Sequence, residues 1–259
     1  MTKLAAYTGE ELSAEPDPFA RIRQLGFRCI EIAGLSLPLP RHQADLAKWS
    51  DQFESLGLEP RFHCSPKANS AFFSSDETAR SLSLNQTACD LEAAARIGIR
   101  SVVIHPSAAV SSEDGQRVIN ALCCLQEQAA HLDIQLELGC ASGPFNGDPG
   151  KLASLCKAVP GVGIALDVGH AFRSLFCLEG KGTLAEWIEI ASPWVKSIQF
   201  NDVKREDERF VQTAVGQGDV PYKDVMSSLI ALNCPWWTIE LASIDGLMRS
   251  RAYLEQFLQ

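Results

Sequence analysis

Short apolar runs alternate with longer stretches whose apolar residues recur every three or four positions, along the whole 259-residue chain. Runs rich in β-branched and aliphatic residues suit strands buried on both faces. They predict strands at 4–8, 29–32, 60–64, 101–105, 134–138, 163–167, 195–202 and 236–241. Helical spacing predicts a helix at 16–26 with Phe19, Ile22 and Leu25 on one face, and another at 40–58 with Leu46, Trp49, Phe53 and Leu56. A long helix at 75–98 turns Ala79, Leu82, Ala88 and Leu91 inward. Further helices are predicted at 112–132, near 151–158, and at 183–191, 221–232 and 244–257. A Gly/Pro/Asn-rich loop covers 139–150, and a long charged loop runs to Val220.

Strand and helix follow one another without a linker or low-complexity break. Repeated βα units at this pitch fit a single (β/α)8 TIM barrel over residues 1–259, a fold that typically takes about 250 residues. The rival, a doubly wound open sheet, usually carries a Gly-rich phosphate turn after its first strand. Tyr7-Thr-Gly-Glu-Glu is not such a turn.

Composition narrows the partners. With a net charge of -9 and a pI of about 5.1, the chain is not expected to bind nucleic acid or an anionic membrane. No apolar run is long enough to span a bilayer, and no basic-then-apolar leader opens the chain. The nine cysteines form no Cys-x-x-Cys pair. Cys29, Cys89, Cys123, Cys124, Cys156 and Cys234 lie among apolar residues and read as small buried hydrophobes, reduced as in a cytoplasm.

The chemistry gathers where the strands end. Those positions carry Glu31, His63, His105, Glu137, Asp167 with His170, Gln199 with Asn201 and Asp202, and Glu240. A barrel enzyme builds its site at this C-terminal rim. The opposite ends carry Lys3, Arg61, Arg100, Asp133 and Lys196, which read as solvent-facing charges. Carboxylates crowded at one rim repel one another unless a proton or a cation intervenes. A hard divalent ion, Mn²⁺ first and Mg²⁺ or Co²⁺ next, suits oxygen-rich ligation. His42 and His131 read as surface residues, and Trp236 and Trp237 cannot both face the interior. Phe72, Phe73 and Phe145 can wall a sugar-sized pocket.

The chain resembles the xylose-isomerase-like TIM barrels, which include sugar isomerases and epimerases of the tagatose-epimerase type and the endonuclease IV family. The resemblance rests on Gly26-Phe-Arg-Cys-Ile-Glu31, Phe62-His63, Ala95-Arg-Ile-Gly-Ile-Arg-Ser-Val-Val-Ile-His105-Pro106 and Leu136-Glu137. It continues through Leu166-Asp167-Val-Gly-His170, Gln199-Phe-Asn201-Asp202, Gly216-Gln-Gly218 and Ile239-Glu240. The epimerase-type pattern implies metal ligands at Glu137, Asp167, Gln199 and Glu240. Gln199 departs from it, because most relatives have histidine there. A glutamine at this place also resembles the 3-dehydroshikimate dehydratases, whose strand reads Gln-x-x-Asp. An endonuclease would need histidine at Gln199 and an Asp-x-His where the chain has Phe210-Val-Gln212.

The resemblance implies isomerisation or epimerisation of a ketose or cyclic hydroxyketone by proton transfer through an enediolate. Glu137 and Glu240 would be base and acid, with His170 shuttling a proton, bonding a hydroxyl or orienting Asp167. His63, His105 and Arg205 would bind substrate, an unphosphorylated sugar or polyol. A dehydratase is the alternative, and a non-catalytic polyol-binding barrel a third. A homo-oligomer is compatible with either enzyme, dimers being the common outcome.

Overall fold

The computed structural model describes residues 2–65, 71, 74–105, 115–143, 145–177, 182–207 and 209–258. Eight parallel strands close into a barrel: β1 (Lys3–Tyr7), β2 (Cys29–Ala33), β3 (Glu59–His63), β4 (Ser101–Ile104), β5 (Gln135–Gly139), β6 (Gly163–Asp167), β7 (Val195–Phe200) and β10 (Trp236–Ile239). Neighbours in sequence are neighbours in the barrel, and β10 closes it by pairing with both β1 and β7. The expected (β/α)8 architecture is therefore the observed one.

Helices surround the barrel: α1 (Glu10–Ser13), α2 (Pro18–Gln24), α3 (Gln43–Leu56), α4 (Glu77–Arg96), α5 (Gly115–His131), α6 (Pro149–Ala158), α7 (Val168–Cys177), α8 (Leu184–Ala191), α9 (Tyr222–Ala231) and α10 (Ile244–Leu254). Several of their starts are set by side chains that accept the first free amides. Asp17, Asp76, Asp148 and Ser243 do so at α2, α4, α6 and α10, and Thr183 with Glu186 forms a capping box at α8. No helix among the described residues is long and apolar enough to cross a membrane.

Successive side chains on a strand point to opposite faces. One set, including Ile30, Ile32, Phe62, Val102, Ile104, Leu136, Leu138, Ile164, Leu166, Ile198, Phe200, Trp237 and Ile239, packs with the helices in one continuous apolar core. The alternate set points inward and is largely polar: Glu31, Arg61, Ser101, Glu137, Ser197, Gln199 and Thr238 are all buried, alongside the small or apolar Ala5, Val103 and Ala165. The barrel interior is thus a hydrogen-bonded column rather than an oily one.

Several expectations are corrected. Leu82 is 66% exposed, because α4 turns Ser83, Thr87, Asp90, Leu91 and Ala94 inward instead, a face rotated from the apolar count. Cys89, Cys123 and Cys124 are exposed, whereas Cys29, Cys156 and Cys234 are buried. The charged loop after β7 contains an antiparallel hairpin, β8 (Asp202–Glu206) with β9 (Arg209–Thr213). The helix α7, which follows Asp167 directly, was not expected. Phe72 and Phe73 lie outside the described residues.

Candidate active site

The inward column has layers, and each layer is fixed by strand register. At the bottom, Glu137 takes the Ser101 hydroxyl at 2.6 Å on one oxygen. Its other oxygen takes Arg61 Nη2 at 3.2 Å and the Ser197 hydroxyl. One layer higher, Glu31 lies beside Arg61, its partner in the β2–β3 register. Arg61 Nε sits 3.2 Å from Glu31 Oε2, and the Thr238 hydroxyl donates to the same oxygen at 2.7 Å. Glu31 Oε1 faces His63 Nδ1 at 2.9 Å and accepts from Gln199 Nε2. Arg61 is fully buried between the two carboxylates, which corrects its reading as a solvent-facing charge. Alternation carries the missed signal: Arg61 is two residues before His63, so both share the inner face of β3.

At the rim, His63 Nε2 lies 2.5 Å from His105 Nε2, and the two rings stack with centroids 4.7 Å apart. Asp167 accepts the His170 amide at 2.6 Å on one oxygen and Asn201 Nδ2 at 2.8 Å on the other. The amide bond caps α7. His170 Nδ1 accepts the Ser142 amide at 3.2 Å and meets the Ser142 hydroxyl at 2.7 Å. Glu240 follows the last strand, half-buried, with a buried and unpartnered Oε2.

The charges are unevenly held. Burial opposes ionisation of Glu31, but Arg61, His63 and Thr238 together hold its carboxyl down at about 2. Burial also works against the Arg61 charge, and Glu137 and Glu31 outweigh it. Glu240 goes the other way. Burial, then the Asp167 and Glu31 charges, push its carboxyl well above the ordinary range, with Arg61 offsetting only part. Burial and the neighbouring His63 and His170 lower the basicity of His105. Tyr7, at the end of β1, keeps its proton under burial and the Glu240, Glu31 and Asp167 charges.

Ligand atoms of Glu31, His63 and Glu240 lie within 4.8 Å of one another, so these three can hold a metal ion. Two unpartnered oxygens, Glu240 Oε2 and Gln199 Oε1, fit that use, since buried polar atoms normally find a partner. Of the residues singled out in the sequence, Gln199, His63, His105 and Glu240 gather here, while Asp167 and His170 flank the rim on β6 and α7. Glu137 lies a layer below, enclosed by Arg61, Ser101 and Ser197. Its strand runs on to Gly139, so the rim position of β5 belongs to glycine. Arg205 is exposed on the β8–β9 hairpin, with its guanidinium 5.3 Å from the Phe176 ring and its amide on Asp219. Glu31, a minor candidate in the sequence, is held by four side chains, those of Arg61, His63, Gln199 and Thr238.

A family model for the xylose isomerase-like TIM barrel matches residues 19–257. No curated protein matches the chain. Among solved structures, a D-tagatose 3-epimerase-like protein superposes with a TM-score of 0.82 at 20% identity, over 99% of this chain and 97% of that one. A xylose isomerase-like TIM barrel protein from Mycobacterium smegmatis, in complex with magnesium, gives 0.78 at 16% identity over 100% and 97%. The probable 3-DHS dehydratase involved in petrobactin synthesis from Bacillus anthracis gives 0.75 at 15% identity over 100% and 99%. At these identities the likeness is one of fold.

Proposed function

The chain belongs to the xylose isomerase-like TIM barrel family, and we propose that it is a metal-dependent isomerase or epimerase of a ketose or cyclic hydroxyketone. The observation that carries the reading is the convergence of Glu31, His63 and Glu240 at the rim, with Glu240 Oε2 left unpartnered. These three would hold a divalent ion, Mn²⁺ first and Mg²⁺ or Co²⁺ next, with the Gln199 amide oxygen as a further donor. Such an ion, when bound, supplies Lewis-acid stabilisation of negative charge on a substrate carbonyl oxygen.

The chain's own residues divide the remaining work. Glu31, held as a carboxylate by buried Arg61, is a fixed charge rather than a proton carrier. Burial and the Asp167 and Glu31 charges push the Glu240 carboxyl well above the ordinary range, and it is the group best placed to exchange a proton with a substrate carbon or oxygen. His170 is the second proton carrier: its Nδ1 accepts from Ser142, so the neutral ring carries its proton on Nε2. His105, stacked on His63, lines the cup beside that ligand. Glu137, below the cup, holds Arg61 in place.

One residue favours a second reading. Gln199 at the seventh strand suits a dehydratase of the 3-dehydroshikimate type, which would share the first proton removal and then expel a hydroxyl. The test is to strip the protein with a chelator and assay ketoses and 3-dehydroshikimate before and after adding Mn²⁺. The expected result is an epimeric or isomeric sugar formed only with metal. Full turnover without metal refutes the metal role, and an ultraviolet-absorbing aromatic product from dehydroshikimate alone transfers the assignment to the lyase.

A further inference from the structure

The fifth strand reaches the rim with a glycine, and the reason stands on the fourth. Gly139 does not have the positive φ that would demand glycine. What excludes a side chain is space. A Cβ on Gly139 would lie 2.7 Å from His105 Nδ1 and 2.9 Å from Nε2, closer than real Cβ contacts come. The imidazole therefore occupies the volume that any rim side chain of β5 would need.

The same ring is locked onto His63. Their planes are 28° apart and the two Nε2 atoms are 2.5 Å apart. The other nitrogen of His63, Nδ1, is turned to Glu31 at 2.9 Å. A ligating histidine normally has its second ring nitrogen held by a partner that fixes the plane of the ring, and loss of that partner typically costs about 10–100-fold in metal affinity. His105 occupies that partner's place.

We infer that His105, admitted by the missing side chain of Gly139, is a positioning residue that sets the His63 ring in the orientation where it converges with Glu31 and Glu240. The pair also keeps β5 from adding a donor at the rim, so the cation site is drawn to the β2, β3 and β10 side of the cup. The consequence for metal rests on the function proposed above; the steric pairing of Gly139 with His105 does not.

The test uses the whole chain in four variants: Gly139→Ala, His105→Ala, the double variant, and His105→Phe, which keeps a ring but removes its nitrogens. Thermal unfolding in chelator reads the steric pairing, and calorimetric titration with Mn²⁺ reads the positioning. Gly139→Ala should lower the melting temperature by several degrees when His105 is present and have little effect when it is alanine. Contacting residues are expected to be non-additive in this way. Gly139→Ala, His105→Ala and His105→Phe should each weaken Mn²⁺ binding about 10–100-fold, and the double variant should bind no more weakly than His105→Ala. His105→Phe separates the roles, because it should lose affinity while melting near the wild type.

A Gly139→Ala penalty that persists without His105 overturns the pairing. Unchanged Mn²⁺ affinity in His105→Phe overturns the positioning role. A wild type that takes up no Mn²⁺ overturns that role together with the metal reading, and the thermal cycle then still decides the pairing.

Discussion

Replacing Arg61 by methionine removes the guanidinium that lies between Glu31 and Glu137 in the barrel's inner column while keeping much of its volume. The side chains of Arg61, Glu31 and Glu137 are at most 2% exposed, and Arg61 nitrogens lie 3.2 Å from each carboxylate. Breaking a buried pair by removing one partner costs about 3–5 kcal/mol, because a charge is left without compensation. A second route gives a similar size. Holding Glu31 at about 2 rather than its ordinary 4.5 corresponds to about 3 kcal/mol in favour of the ionised form, and Arg61 is the leading favourable cause. At about 2–4 °C per kcal/mol for a domain of this size, the melting temperature should fall by about 6–20 °C. The pH dependence has a definite sign. In the wild type, Glu31 has a depressed folded value, so its contribution is present above about 4.5 and is lost as the pH falls toward 2. In Arg61→Met, burial favours the protonated Glu31, so the variant gains stability as the pH falls. The gap between the proteins should therefore be widest near neutrality and narrow toward pH 5. Urea unfolding in chelator at pH 8, 6.5 and 5 measures it. A loss under about 1 kcal/mol at neutral pH, or a loss constant across the series, would refute the reasoning.

Glu240→Gln should leave the barrel intact and lower turnover at least about a hundredfold, the lower scale of general acid–base catalysis, as read by steady-state kinetics with saturating Mn²⁺. In chelator the same change should help rather than harm at high pH. A raised folded value means that Glu240 favours folding at low pH and that this contribution is lost as the pH rises through it, whereas glutamine has nothing to lose. Melting curves across a rising pH series should show the variant overtaking the wild type.

The barrel was legible because parallel strands buried on both faces leave unbroken apolar runs, as at Val102–Ile104 and Ile164–Leu166, and helices leave a different period. The rim was legible at Asp167 and Glu240, where the apolar run ends in the polar residue itself. It failed at β5. Glu137 is the strand's only carboxylate and was placed at the rim, but the strand runs two residues further and the rim position is Gly139. A glycine announces no chemistry, and the imidazole that fills its space comes from another strand. Arg61 escaped for a related reason: a charge in the first half of a strand looks solvent-bound unless the interior beyond it holds carboxylates. That interior depends on pairings between residues 30 and 76 positions apart, which no local pattern contains. The exposed Cys123 and Cys124 show the converse, since an apolar neighbourhood in sequence does not fix which face of a helix a residue takes.

The central claim is proton exchange at carbon beside a carbonyl, and it is tested most directly by incubating the Mn²⁺-loaded protein with ketoses in deuterated water. Deuterium is expected at the carbon adjacent to the carbonyl in recovered and epimerised sugar, with incorporation abolished by chelator and strongly reduced in Glu240→Gln. Sugars returned without deuterium, from a protein shown by calorimetry to hold its metal, would contradict it.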